Sequence, residues 1–191
     1  MNQNIRTKVY FLVAVTLALM LMLGINGFMG MHNTSDTLNK VVITNHILRT
    51  HMEADQDHDA LRADILAALL AQTPEDWADV DKNLSDHTRN FHDMIEENGK
   101  LAADRNIRSA LDEVTDSLNK YIASAQTIAS TAKTDRHRAE AMMPDFMRAF
   151  KDLEGRMEHV SEVIESGAAS AEQDAHTTVE HAQLTGILLS L

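Results

Sequence analysis

The chain has 191 residues, a formal net charge of −12 and no cysteine, and it carries seven glycines and two prolines. No disulfide or thiolate metal site is possible. An acidic surface disfavours nucleic acid and anionic headgroups as partners. Setting aside the two positive charges of Arg6 and Lys8 takes −12 to −14 for everything after them. Few glycines, prolines and aromatics, with much Ala, Leu, Met, Asp and Glu, indicate long helices rather than sheets.

The first element is an uncharged run, Val9 to Met31. As a helix it rises ~35 Å, enough to cross a ~30 Å hydrocarbon core. Arg6 and Lys8 precede it, and no positive charge follows until Lys40, so the positive-inside rule places the N-terminus in the cytoplasm. A cleaved signal peptide is the alternative, but its apolar region should span only about 7–15 residues and end at a small-x-small site. Gly27-Phe28-Met29-Gly30-Met31 offers none, so an uncleaved anchor is expected. Leu184 to Leu191 reads as the first turns of a second membrane helix that is expected to continue into a cytoplasmic part. The expected layout is therefore a cytoplasmic segment at 1–8, a transmembrane helix at 9–31, a periplasmic sensor domain at 32–183 and the start of a second span at 184–191.

Between the two runs, the first domain helix is expected to continue from the membrane to about Ala71. Thr73-Pro74-Glu75-Asp76 reads as a helix start, with Thr as N-cap, Pro in the first turn and two acids behind it. The second helix carries Trp77, Val80, Leu84, His87, Phe91 and Met94 at alternating spacings of three and four, and Asn98-Gly99 should end it with a left-handed glycine cap. Ile107, Leu111, Val114, Leu118, Tyr121, Ala125 and Ile128 mark the third helix. After a break near Thr134-Asp135, the fourth shows Phe146, Phe150, Leu153, Met157, Val160 and Ile164. It should begin near Arg136 and bend slightly at Pro144. Heptad stripes on four helices with short connections predict an all-α, up-down-up-down antiparallel bundle. Val42, Ile43 and Leu70 are extra apolar positions on the first helix and suit a dimer seam.

The first helix interrupts its own stripe. Ile47, His51, Asp55, His58, Arg62, Ile65 and Leu69 place four polar residues between apolar ends. His87 is the matching exception on the second helix. Counted from the turn at residues 71–74, His58 and His87 fall at one height; Arg156, Met157, His159, Asp112 and Asp116 are expected near it. Three readings of this layer stand open. The first is a hydrogen-bonded structural layer that fixes register. The second is a metal ion or haem held by His58 and His87, with His51 or His159 as a further ligand. The third is a small anion held by Arg62, Arg49 or Arg156 with histidines as donors. The candidate ligand-binding set is thus His51, Asp55, His58, Arg62, His87 and Arg156, and the candidate metal set His58, His87 and His159. The remaining histidines are expected on the surface. No phosphate loop, nucleophile elbow or acid/base pair indicates an enzyme.

His58-Asp59-Ala60-Leu61-Arg62-Ala63-Asp64 and Phe146-x-x-x-Phe150-x-x-Leu153-Glu154-x-x-Met157 resemble stretches of the periplasmic four-helix-bundle ligand-binding region of bacterial methyl-accepting chemotaxis receptors. That resemblance covers the whole chain. It implies an inner-membrane homodimer paired through helix 1, and a small-molecule or ion ligand bound outside the cell. It further implies a displacement of helix 4 passed to a cytoplasmic part that controls a histidine kinase through an adaptor. Amino-acid-sensing members use helix-1 arginines at the dimer interface; the spacing of Arg49 and Arg62 does not match, so no amino-acid specificity is implied. A membrane histidine kinase and a non-liganded membrane-anchored coiled-coil adaptor are the alternatives.

Overall fold

A computed structural model describes residues 5–190, without the side chains of residues 182, 185 and 187–190. Four helices follow one another: α1 (Ile5–Leu70), α2 (Pro74–Leu101), α3 (Arg105–Ala132) and α4 (Arg136–Ser190). No strand occurs among the described residues. The chain divides into two units, residues 1–42 with 169–191, and residues 43–168.

In the first unit the apolar side chains of α1 between Ile5 and Met31 are exposed. This stretch is long and apolar enough to cross a membrane. The expected second apolar run, from Leu184 on, falls mostly outside the described side chains.

Residues 43–168 form the antiparallel bundle, and its helices turn in three residues at 71–73, 102–104 and 133–135. Each turn is fixed by hydrogen bonds that satisfy the orphan N–H groups of the next helix. Thr73 Oγ1 accepts from Asp76 N–H at 3.1 Å. The Asp76 carboxylate in return accepts from Gln72 N–H and Thr73 N–H, both at 2.9 Å. Those donors hold the Asp76 carboxyl below its usual range. Thr73→Ala is therefore expected to cost about 1 kcal/mol, read from denaturant unfolding of the full chain in detergent. Asp104 caps α3 by accepting from Asn106 N–H at 2.7 Å and Ile107 N–H at 3.2 Å. Asp135 accepts from Arg138 N–H at 3.0 Å as α4 begins; this helix starts at Arg136 as its pattern indicates and runs unbroken through Pro144.

Gly99 does not end α2. No described glycine has positive φ, and the helix continues to Leu101. The stop comes at Ala102, whose N–H reaches Asn98 C=O at 2.9 Å and whose C=O accepts from Arg108 at 2.6 Å. An extended residue held from both sides does the work that a glycine cap was expected to do.

The core confirms two stripes in full. All seven positions read on α3 are buried, as are all six on α4. On α2, Val80, Leu84 and Phe91 are buried, while Trp77, His87 and Met94 are half-buried. Ile95 and Asn98 join the core there.

The α1 stripe is corrected. Asp55 is exposed and Arg62 half-buried, whereas Ala54, Leu61 and Ala68 are fully buried. Together with Ile47 they form a strict seven-residue seam, flanked by His51, His58 and Ile65 on one side and by Thr50, Asp57, Asp64 and Ala71 on the other. A seven-residue repeat keeps a seam facing its neighbours along a supercoiled bundle, which a run of four-residue steps cannot do. Of the extra apolar positions, Val42 and Leu70 are exposed, but Ile43 packs against the core.

Candidate functional site

His58 lies at the centre of an aromatic cluster contributed by all four helices. Its ring stacks on Phe150 of α4 at 4.1 Å between centroids, nearly parallel. It meets the edge of Tyr121 of α3 at 5.2 Å and lies 6.2 Å from Phe91 of α2. His58 Nε2 donates to the backbone C=O of Phe150 at 3.2 Å, and the Tyr121 hydroxyl donates to the C=O of His58 at 3.1 Å. Arg62, one turn further along α1, sets its guanidinium 4.4 Å from the Phe150 ring centroid and pairs with Asp59 at 3.2 Å. Phe150 thus carries a buried imidazole and a half-exposed guanidinium, a stacking and cation–π arrangement.

Two turns away His51 repeats the tie to α4. Its Nε2 donates to the C=O of Met157 at 2.9 Å. A carbonyl only accepts, so both buried histidines carry their proton on Nε2. Burial holds both imidazoles below their ordinary range, opposed by the backbone acceptors and by Asp55 nearby. Each ring is therefore biased towards its neutral form.

His87 belongs to a third cluster. Its Nδ1 lies 2.7 Å from Oδ2 of Asp64, with Asp57 one heptad back on the same face of α1. Burial pushes the carboxyls of Asp57 and Asp64 up; His87 pulls each partly back.

The single layer expected from the sequence therefore resolves into three. His58 faces Phe91 rather than His87, which pairs six residues further along α1, because α2 is shifted by about a turn from the count. His159 is exposed and lies 3.8 Å from Glu162, so His58, His87 and His159 do not converge. Among the described residues no group of three or more His, Cys, Asp or Glu is placed to hold a metal ion. Arg156 is half-buried and pairs with Asp152 at 3.1 Å and Glu113 at 3.6 Å. Its level is that of His51, not His58, since His51 bonds Met157. Arg49 is exposed and pairs with Glu53 at 3.0 Å, and Asp112 and Asp116 are exposed. The polar stripe read from the sequence leaves out Asp57, Asp64 and Asn98; a seven-residue count from Leu61 and Phe91 finds all three flanking or lying on the core.

These features define an all-α helical-bundle module with a buried polar interior. Over residues 2–179 the chain matches the four helix bundle sensory module for signal transduction found in methyl-accepting chemotaxis proteins, and it belongs to that family. Compared with individual curated proteins, it gives no significant match.

Proposed function

We propose that this chain is the sensory input region of a transmembrane chemotaxis receptor. In this reading residues 9–31 anchor it in the bacterial inner membrane with the N-terminus in the cytoplasm. Residues 32–183 form a periplasmic bundle that binds a small molecule or ion, and residues 184–191 begin the returning span. Occupancy shifts α4, and the shift reaches a cytoplasmic region that controls a histidine kinase. The observation that carries the reading is the cluster joining α1 to α4: His51 and His58, on a helix with an apolar N-terminal stretch, hold backbone oxygens of the helix that leads to the second apolar run. A ligand that moved Arg62 on Phe150 would act on that joint directly. The exposed Leu66 and Leu70 of α1, with Met52 further back, give the homodimer its contact face.

A ligand screen on the full chain in detergent tests the input role. A true ligand at 100 times Kd stabilises the fold by ~2.7 kcal/mol, and Arg62→Ala is expected to reduce that gain. A protein that resists every periplasmic solute class and extracts from membranes without detergent would refute the proposal.

A further inference from the structure

Two layers of the bundle are the same construction one heptad apart. In the first, His58 of α1 meets Phe91 of α2 and bonds the C=O of Phe150 on α4. Seven residues along each antiparallel helix, His51 bonds the C=O of Met157 in the same way, and the residue at the position of Phe91 is Asn98. The α1–α4 tie repeats at the heptad spacing, and the same step on α2, counted from the contact of His58 with Phe91, carries Asn98 to the level of His51. Glu97, beside it in sequence, bonds His46 across the same pair of helices at 2.9 Å.

The substitution of an amide for a phenyl ring changes what the layer demands. Phe91 asks for packing only. Asn98 is wholly buried, and neither its Nδ2 nor its Oδ1 has a partner among the described protein groups; His51 Nδ1 is unpartnered too. With the His51 proton on Nε2, a neutral ring leaves Nδ1 as an acceptor. The unmet set is therefore two acceptors, His51 Nδ1 and Asn98 Oδ1, and one donor group, Asn98 Nδ2. Buried polar groups are almost always satisfied, because leaving one unmet forfeits its hydration with no return.

We propose that Asn98 and His51 form an internal binding site for one small uncharged molecule that donates two hydrogen bonds and accepts one. Water has that capacity, and structural waters satisfy such buried polar groups in globular proteins. A small neutral amide has it as well. A carboxylate lacks the two donors, and a cation lacks the acceptor. The inference rests on packing and hydrogen-bonding alone, so it holds whether or not the protein is a receptor.

The site is tested by nuclear magnetic resonance on the 15N-labelled full chain in detergent. Cross-peaks from a slowly exchanging water to the Asn98 side-chain amide, with a hydrogen-bonded His51 Nδ1 shift, support the proposal and identify solvent as the source. Cross-peaks from added formamide to the same groups support it and identify a solute. Either signal should vanish in Asn98→Leu, with thermal stability kept or raised, since leucine leaves no amide to satisfy. Should that variant not fold, Asn98→Met serves the same comparison. A through-bond coupling showing Asn98 Nδ2 donating directly to His51 Nδ1, or no cross-peak from either molecule, would overturn it.

Discussion

Phe150→Ala is expected to destabilise the full chain by about 3–5 kcal/mol, the range for deleting a buried aromatic ring. The upper half of that range applies here. The ring is almost wholly buried, and truncation removes the stacked surface of His58 at 4.1 Å, the seat of the Arg62 guanidinium at 4.4 Å and the neighbouring Tyr121 ring at 6.1 Å. The backbone C=O stays, so the bond from His58 Nε2 survives and the loss measures packing rather than the tie between helices. Phe150→Leu, which keeps most of the volume, should lose less than half as much. Urea unfolding in detergent reads both variants; equal losses would show that retained bulk counts for nothing and that the ring's aromatic contacts carry the whole effect.

Stability should fall as pH drops below about 6.5, the ordinary imidazole value. His51 and His58 are lowered by burial in the folded protein. Between the folded and unfolded values the unfolded chain therefore binds more protons, and stability rises with pH. Their contribution is fully present above 6.5 and is lost as pH falls through the window below it. Within that window each ring gives a slope approaching about 1.4 kcal/mol per pH unit. Asp57 and Asp64 act with the opposite sign lower down. Burial raises both carboxyls above 3.8, so the folded protein holds their protons longer and stability falls as pH rises through that range. A pH series of unfolding curves should thus fall steeply on acidification and then flatten. His51→Gln with His58→Gln keeps an N–H for each α4 carbonyl but removes the titration. An unchanged slope in that double variant would assign the acid sensitivity to other groups.

The bundle was legible because two helices state their seams without ambiguity. On α3 and α4 every position of the three–four alternation is apolar or aromatic, so only one face can be buried. On α1 two faces compete. Ala54 and Ala68 are too small to announce a core position, while His51, Asp55 and Arg62 draw the eye along a neighbouring track; the small residues are inside because α1 packs closely against its partners. The histidine cluster was half legible for the same reason. That His51 and His58 are buried follows from their spacing to Ile65, but their partners on α4 are backbone oxygens, which carry no residue signature. The opposition of His58 to Phe91 depended on a register that a three-residue turn shifts by about one helical turn. Asn-Gly marks turns, so Asn98 reads as the end of a helix; in the fold α2 runs on to Leu101 and stops at Ala102.

The bonds from His51 and His58 end on backbone oxygens of α4 rather than on side groups. Every residue type offers the same acceptor, so the bond from His51 constrains α1 and leaves position 157 free to drift within the limits of bulk, whereas Phe150 is held separately by its stack on His58. Among homologous sequences His51 should persist while the residue at position 157 varies independently of it. Methods that infer contact from paired substitutions would then find no trace of this buried link, although it joins the first helix of the bundle to its last.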